Sequence, residues 1–328
     1  MKALVCTEYG LPDILELKEI ETPIPEDNEV LVEVHASSVT THNLVLVSGK
    51  PFFVRLMGSG ILKPVIKIPG NDIAGRVAAV GRNVTQFRQG DEVFGDSSEC
   101  GFGAFAECVC VPETALAFKP VNVTFEEAAA VPQAGLVALQ GLRDKGQIKK
   151  GHTVLIYGAS GGLGTFAVQI AKYFGAEVTG VCSTRNLDMV RAIGADYVID
   201  YTNEDFARGG QRYDLIFAIH YRSILDFKRA LSPQGTYVSV GSPSLKRIFQ
   251  DMILGPCLST KGSKKLVGGW ALIPNKDLAL MKALIEDGKV KPVIDRRYPL
   301  AEAAEAFRYY REGHSRGKVV ITIRQAVV

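Results

Sequence analysis

The order of apolar and polar positions divides the chain into a β-rich first third and a longer part in which strands and helices alternate. Short apolar or alternating segments, separated by turn signals such as Pro23 and Gly90, predict strands in the first third. These strands cover residues 1–6, 29–36, 72–80, 92–94 and 104–111. Short strands at this spacing predict a compact barrel rather than a helical domain.

From Thr124 onward the pattern is typical of a doubly wound parallel sheet. A helical segment comes first, and the strands that follow are predicted at residues 154–157, 176–181, 197–199, 215–219, 236–240 and 265–270. Further helices are predicted at residues 165–174, 275–287 and 301–312, the last two joined by a Pro-containing connection. A final strand at 318–323 stands apart from the sheet domain, so we expect it to return to the N-terminal barrel.

A glycine-rich turn separates the apolar strand at 154–157 from the helix that follows it. Gly158, Gly161, Gly162 and Gly164 lack Cβ atoms, so backbone N–H groups can approach a pyrophosphate at the positive end of the helix. Their GxxGxxG spacing departs from GxGxxG, but the strand before and the helix after supply the context that the motif requires. The segment predicts a dinucleotide-binding βαβ unit.

The tip of the second strand in this unit predicts the form of the cofactor. NAD-binding units place an acidic side chain there, whereas this chain has Ser183, Thr184 and Arg185, which suit a 2′-phosphate. The only nearby carboxylate, Glu177, lies ~16 Å from the tip at ~3.3 Å per residue. The pattern favours NADPH over NADH, with a merely solvated Arg185 as the alternative.

Composition places the chain among ordinary proteins of two domains. It has 328 residues, a net charge of +3, 47% hydrophobic and 22% charged residues. This charge is too small to favour nucleic acid or an anionic membrane surface as a partner. No uninterrupted apolar run reaches the ~18 residues of a membrane span, and the charged N-terminus lacks a secretory pattern, so we expect a cytoplasmic protein without a span.

The cysteines do not form a metal-binding pattern. There are six, and the tightest group is Cys100, Cys108 and Cys110, without the paired CxxC spacing of a structural zinc lobe. Free thiols and no metal are the prediction.

Three separated segments resemble the medium-chain dehydrogenase/reductase superfamily, most closely its zinc-free quinone oxidoreductase branch. They are PGNDIAGRVAAVGRNVTQFRQGDEVFG, GASGGLGTFAVQIAK and GHSRGKVVITI. The resemblance implies an α/β fold in which both chain ends, residues 1–121 and 274–328, form a GroES-like β-barrel domain for the substrate. Residues 122–273 would form an inserted Rossmann-like doubly wound parallel sheet that binds NADPH, with nicotinamide and substrate meeting in a cleft.

The zinc-ligand positions of the superfamily's alcohol dehydrogenases are occupied by other residue types. Thr40 stands where their cysteine would be and Asn71 where their histidine would be, and neither is a strong zinc ligand. Without a Lewis acid, electron-poor acceptors such as quinones or α,β-unsaturated carbonyls become the expected substrates. Thr40, Asn43 and Asn71 would donate hydrogen bonds to the acceptor oxygen, and solvent would supply the proton.

The resemblance also assigns cofactor contacts residue by residue. It implies that Ser183, Arg185 and Tyr201 contact the 2′-phosphate, with Thr184 as a further cofactor-binding residue at the same strand tip. It also implies that Gly241 and Ser242 lie on the nicotinamide side. The pyrophosphate would face the turn. The turn residues expected there are Gly158, Ser160, Gly161, Gly162, Leu163 and Gly164.

Departures from the family pattern keep other functions open. Asn43 replaces a frequent aspartate, Val137 a threonine, and residues 218–221 a DxVG motif. They motivate a rival hypothesis, an NADPH-binding interaction protein with vestigial reductase activity. Within the enzymes, a zinc-free alcohol dehydrogenase-like activity or an enoyl-thioester reductase is the alternative.

Three titratable side chains and the oligomeric state also stay open at this point. His42 is interpreted as lining the cleft and His220 as structural, and proton donation is the alternative for each. Asp72 is interpreted as a carboxylate that stabilises a turn, with a catalytic acid as the alternative. The resemblance suggests a homodimer that pairs edge strands around residues 266–272.

Overall fold

The chain consists of two compact units, of which the first contains both chain ends. The structure, a computed structural model, describes residues 1–10, 12–240, 250, 259, 264–268 and 272–324. The first unit comprises Met1–Leu136, Ile273–Gly288 and Pro292–Val328, and the second comprises Val137–Leu272 and Lys289–Lys291.

The described residues form short strands in the first unit and alternating strands and helices in the second. The strands are β1 (Lys2–Val5), β2 (Glu16–Glu19), β3 (Glu29–Val39), β4 (Asp72–Val80), β5 (Glu92–Asp96), β6 (Cys108–Pro112), β7 (Leu116–Phe118), β8 (Thr153–Tyr157), β9 (Glu177–Cys182), β10 (Tyr197–Asp200), β11 (Tyr213–Ala218), β12 (Leu231–Ser239), β13 (Lys265–Val267), β14 (Ile294–Pro299) and β15 (Lys318–Thr322). The α-helices are α1 (Thr41–Ser48), α2 (Phe125–Ala129), α3 (Pro132–Gln140), α4 (Gly162–Tyr173), α5 (Leu187–Ala192), α6 (Ile224–Ala230), α7 (Leu278–Glu286) and α8 (Ala303–Arg311).

A seven-stranded sheet forms the first unit. Its order is β14-β15-β3-β4-β5-β7, and β6 also pairs with β3, while β1 and β2 form a separate antiparallel pair. Strand β15 runs antiparallel to β3, with Val319 opposite Val39. This pairing confirms that the last strand returns to the N-terminal sheet. The apolar inner faces pack into cores that contain Val30, Val32 and Ile73.

Three parts of this sheet differ from the sequence prediction, and one of them, the short strand β7, has no predicted counterpart. Strand β14 lies where only a Pro-containing connection is predicted, because its charged residues and Pro299 mask the strand pattern, and such residues are tolerated at a sheet edge. Strand β6 begins at Cys108 rather than at residue 104. Phe105 instead donates its N–H to Pro69 O at 3.0 Å, beside Gly70, where a Cβ would lie 2.5 Å from the Phe105 nitrogen.

The second unit is built on a parallel six-stranded sheet. Its order is β10-β9-β8-β11-β12-β13, and every neighbouring pair is parallel. The chain moves outward from β8 through β9 to β10, then returns to β11 and moves outward on the other side. Such a reversal between β8 and β11 is the switch point at which doubly wound sheets bind ligands. The predicted doubly wound sheet is confirmed.

A buried ion pair ties the last strand of the first unit to its centre. Lys318 Nζ lies 3.1 Å from Asp72 Oδ2, and the two side chains are 5% and 0% exposed. Ser38 on β3 donates its hydroxyl to the same carboxylate oxygen. The backbone N–H of Gln133 on α3 donates to Oδ1 at 2.9 Å. One carboxylate therefore connects β3, β4, β15 and α3.

Removing one partner of this pair should destabilise the protein strongly. Lys318→Met leaves the Asp72 carboxylate buried without its cation, so we expect the free energy of unfolding in urea to fall by about 3–5 kcal/mol. The matched control is Lys18→Met, which removes a cation from the exposed Lys18–Glu16 pair and should cost less than about 1 kcal/mol. Equal losses from the two substitutions would contradict this account of the buried pair.

Candidate functional site

The glycine turn after β8 is shaped by close backbone contacts. Gly158 has a φ of +99°, which disfavours any side chain. A Cβ on Gly164 would lie 2.1 Å from Gly158 O, so α4 packs directly against the turn. A Cβ on Gly161 meets nothing closer than Gly158 O at 3.9 Å. Gly158 and Gly164 are thus required by packing, whereas Gly161 borders open space.

The first turn of α4 faces this open space with unpaired donors. Gly161 is the N-cap and offers no side-chain cap. The first N–H groups of a helix have no acceptor within it, and the helix dipole adds positive potential there. The backbone N–H groups of Gly162, Leu163 and Gly164 are therefore available to an anion. Open space beside Gly161 and free donors together fit a cofactor pyrophosphate.

A buried asparagine connects the turn to the tip of β9. Asn186 Nδ2 donates to Ser160 Oγ at 3.0 Å and to Ser183 Oγ at 3.2 Å. Asn186 is 4% exposed. Sequence reasoning missed this residue, and its only signal was a position directly after Arg185. Asn186 thereby links Ser160 and Ser183, two predicted cofactor contacts, through one amide group.

The predicted 2′-phosphate contacts come together at the strand tips. Ser183 follows β9 and is half-buried, whereas Arg185 and Tyr201 are exposed. The Tyr201 N–H donates to Cys182 O at 3.1 Å, which brings the residue after β10 beside the end of β9. The three residues therefore lie at neighbouring strand ends, and their side chains are of types that can bind a phosphate.

The expectation that Glu177 is the only carboxylate near this tip is wrong. Asp200 stands opposite Cys182 in the parallel register of β10 and β9. It accepts hydrogen bonds from Thr184 Oγ1 at 2.5 Å, from Thr202 Oγ1 at 2.7 Å and from Asn203 Nδ2 at 2.9 Å. Because it lies 18 residues further along the chain, only the pairing of the strands brings it to the tip.

These hydrogen bonds favour the ionised form of Asp200 and occupy the hydroxyl hydrogen of Thr184. The hydroxyl groups of Thr184 and Thr202 lower the pKa of Asp200, so it is ionised at neutral pH. The Thr184 hydroxyl hydrogen is directed at Asp200. The Thr184 hydroxyl is thus engaged with a carboxylate, whereas the Ser183 hydroxyl oxygen accepts from Asn186.

The nicotinamide side of the site is only partly described. Gly241 and Ser242 lie outside the described residues. His220 is exposed, and a Cβ on Gly158 would lie 2.6 Å from its Cδ2. His220 therefore packs against the glycine turn.

Thr40, Asn43 and Asn71 form one hydrogen-bonded cluster in the first unit. Thr40 caps the N-terminus of α1, and its hydroxyl lies 2.9 Å from Asn43 Oδ1 and 3.1 Å from Asn71 Oδ1. Asn43 Nδ2 donates to Asn71 Oδ1 at 2.9 Å. Asn43 and Asn71 are 0% exposed and Thr40 is 4% exposed. The structure therefore brings all three residues together, with Thr40 nearest the surface.

Two buried carboxylates determine the orientation of the Asn71 amide. Asn71 Nδ2 lies 3.3 Å from both Asp72 Oδ1 and Asp96 Oδ1. Only the amide nitrogen can donate to carboxylates, so the amide oxygen faces Thr40 and Asn43. Asp96 was not predicted as a site residue, because nothing at the end of β5 distinguishes it from a turn aspartate.

Asp96 is the most strongly perturbed acid of this cluster. Burial, and after it the charge of Asp72, raises the pKa of Asp96 to about 6, although hydrogen bonds from Ser98 and Asn71 act in the opposite direction. Asp96 Oδ2 is buried and has no hydrogen-bond partner in the described part of the chain. A carboxyl in this environment gives up its proton close to neutral pH.

His42 and the cysteines do not contribute an activated group here. His42 is exposed to solvent, but the protein atoms around its ring desolvate it and lower its pKa, so its imidazole is neutral at pH 7, and the ring packs edge-on against Phe102 at 5.0 Å. Burial raises the pKa values of Cys6, Cys110 and Cys182 to about 11, so these thiols stay protonated. Within the described ranges, no three His, Cys, Asp or Glu side chains form a group able to hold a metal.

The barrel from both chain ends and the parallel sheet with its glycine turn define a dehydrogenase of the medium-chain class. Residues 26–141 match the alcohol dehydrogenase GroES-like domain family, and residues 193–321 match the zinc-binding dehydrogenase family. Over the parts of the chain that the structure describes, no helix combines the length and apolar character needed to cross a bilayer.

Individual relatives place the chain beside quinone and enone reductases. It is 33% identical to the chloroplast envelope quinone oxidoreductase homolog of Arabidopsis thaliana, over 98% of each chain. It is 31% identical to the chloroplastic NADPH-dependent alkenal/one oxidoreductase of the same plant, over 98% of this chain and 79% of that protein. The quinone oxidoreductase structure from Coxiella burnetii, 28% identical, superposes with a TM-score of 0.87 over 99% of both chains. The chain belongs to the medium-chain dehydrogenase/reductase superfamily and is an oxidoreductase that uses a nicotinamide cofactor.

Two glycines of the turn should respond differently to a methyl group. Gly164→Ala places a Cβ on the Gly158 carbonyl oxygen, so the free energy of unfolding should fall by about 2–3 kcal/mol. Gly161→Ala, the matched control, should change it by less than about 0.5 kcal/mol yet weaken binding of the nicotinamide cofactor in calorimetric titration. If Gly161→Ala binds the cofactor as well as the parent protein, the pyrophosphate does not lie at this turn.

Stability should depend on pH through Asp96. The folded protein holds this proton up to about pH 6, whereas the ordinary value is 3.8. The folded state therefore binds more protons between these values, and the free energy of unfolding falls as the pH rises through them. In Asp96→Asn the free energy of unfolding should fall less with rising pH than in the parent protein, by up to about 3 kcal/mol between pH 4 and pH 8, as measured by urea unfolding.

The control for this pH profile is Asp188→Asn, which alters a fully exposed carboxylate. Its unfolding free energy should follow the parent profile throughout. Parallel profiles for Asp96→Asn and the parent protein would show that Asp96 ionises as an ordinary surface acid.

Proposed function

We propose that this protein is an NADPH-dependent, zinc-independent reductase of quinones or activated α,β-unsaturated carbonyls. The observation that carries the proposal is a glycine turn with open space at Gly161, next to the strand ends where Ser183, Arg185 and Tyr201 lie. Nicotinamide cofactors, when bound, supply a hydride. The printed names of the plant relatives support the same class of acceptor.

NADPH is the proposed cofactor because of the charge at the strand tips. Asp200 opposes a phosphate there, but four donors, two of them from Thr202, already satisfy its oxygens. Arg185 is exposed beside it and carries a planar set of donors that matches phosphate geometry. The net effect favours the 2′-phosphate over the free ribose hydroxyl.

On the acceptor side, we propose that Thr40 donates a hydrogen bond to the acceptor oxygen and that Asn43 and Asn71 hold its hydroxyl in place. The Thr40 hydroxyl has one hydrogen and two amide oxygens within reach, so it can turn from one to another acceptor. Such a donor stabilises negative charge as it develops on the acceptor oxygen. The proton that completes the reduction would come from solvent.

The domain limits and the assembly remain proposals as well. Residues 1–121 and 274–328 would serve the acceptor, and residues 122–273 the cofactor. Strand β13 is an edge of the six-stranded sheet, as the proposed homodimer through residues 266–272 requires.

The purified protein should oxidise NADPH when a quinone or an enone is present, and not with the saturated ketone matched to each enone. Arg185→Ala should raise the KM for NADPH about tenfold to hundredfold, because a charge-assisted hydrogen bond to the 2′-phosphate is lost. The KM for NADH should change less than threefold. Loss of nicotinamide absorbance measures all of these rates.

Arg191→Ala is the control for the cofactor assignment, since it removes an exposed arginine of α5 that pairs with Asp188. It should leave both KM values unchanged. Equal losses with NADPH and NADH in Arg185→Ala would refute the phosphate assignment. NADPH binding without turnover of any acceptor would refute the enzymatic proposal and favour the interaction protein.

A further inference from the structure

A cavity in the first unit is lined by three cations. It has a volume of about 490 Å³, within the range of small-molecule sites. Lys50, Arg55 and Arg311 line it, together with Tyr9, Leu44 and Ser48. Nothing in the proposed reduction uses this basic pocket.

Arg55 is held in a single orientation inside the basic pocket. Its guanidinium carbon lies 4.2 Å from the centre of the Tyr9 ring, and its Nε donates to Gly49 O at 2.9 Å. The Tyr9 hydroxyl in turn lies 2.7 Å from Gly60 O. Gly49 has a φ of +58°, and a Cβ there would lie 2.6 Å from both Arg55 Nε and the Tyr9 ring. The terminal guanidinium nitrogens are thus positioned before any ligand binds.

The three cations of the basic pocket are not neutralised by protein carboxylates. Among the described residues, no Asp or Glu oxygen lies within 4.0 Å of Lys50, Arg55 or Arg311. Two carboxylates that contact α8 are engaged elsewhere on it, Asp13 with Arg308 and Asp295 with the Tyr309 hydroxyl. Three like charges around one cavity repel one another, and an anion between them would relieve that repulsion.

Apart from Ser48, the remaining side chains that line the basic pocket are apolar or aromatic. Leu44 and the Tyr9 ring line it, and the Phe52 ring, 58% exposed, lies 5.5 Å from the Arg55 guanidinium carbon. An exposed aromatic ring beside a cationic cavity favours a ligand that carries an apolar group as well as a charge. Inorganic ions alone would leave these walls uncovered.

We propose that the basic pocket binds a small organic anion, a carboxylate or phosphate group joined to an apolar body. Arg55 and the flanking cations contact the anionic group, and the apolar body covers Tyr9, Leu44 and Phe52. Its lining residues include neither Thr40, Asn43 and Asn71 nor any residue of the glycine turn, so ligand binding here does not depend on the proposed reduction.

Calorimetric titration with 1-naphthyl phosphate, 1-naphthoate and neutral 1-naphthol tests this site without any redox assay. Both anions should bind at least tenfold more tightly than 1-naphthol. Arg55→Gln should weaken the anions at least tenfold, and Lys50→Gln or Arg311→Gln about threefold to tenfold, since an exposed cation contributes less. Arg88→Gln, which changes an arginine with a 90% exposed side chain, should have no effect.

Lys50 and Arg311 are exposed, so their variants keep the test valid if Arg55→Gln unfolds. Equal affinity for 1-naphthol and the anions would overturn the proposal. Anion binding that survives all three pocket substitutions would place the anion elsewhere and overturn it as well. Sedimentation with phosphatidic acid vesicles without binding of 1-naphthyl phosphate would identify a membrane surface instead.

Discussion

The buried carboxylate of Asp72 is the interaction on which the first unit depends. It accepts hydrogen bonds from the Ser38 hydroxyl on β3 and from a backbone N–H of α3, and it forms an ion pair with Lys318 on β15. It also accepts a hydrogen bond from the amide nitrogen of the neighbouring Asn71. A buried carboxylate is stable only when its oxygens are satisfied and its charge is paired. The same carboxylate raises the pKa of Asp96, so the electrostatics of the polar cluster follow from it.

The second unit depends on a steric constraint rather than a charge. Gly158 and Gly164 allow α4 to begin close to the end of β8, and this contact directs the free N–H groups of the helix toward open space at Gly161. Asn186 then connects the turn with the tip of β9. Backbone geometry and one buried amide thereby arrange the proposed pyrophosphate site beside the proposed 2′-phosphate contacts.

Most elements of the fold could be predicted from sequence because their apolar patterns are regular. Strand β4 matches its predicted bounds, and the parallel strands from β8 to β12 begin or end within a few residues of prediction, apart from the start of β12. Prediction failed at β14, whose charged edge pattern resembles a connection, and at β6, where Phe105 leaves the sheet to bond with Pro69. At these two strands tertiary contacts, not local periodicity, decide the backbone. The short elements β2, β7, α1, α5 and α6 were also not predicted, because three to eight residues carry too little periodicity.

The sequence by itself determined the dinucleotide turn, the return of the last strand and the absence of cysteine and histidine at the expected ligand positions, because these follow from residue type and short-range spacing. The tertiary structure alone decided that Asp200 stands beside the cofactor donors, that Asp96 shares an amide with Asp72, and that Lys50, Arg55 and Arg311 surround one cavity. These groups are distant in sequence, and only strand pairing and helix packing bring their charges close enough to interact.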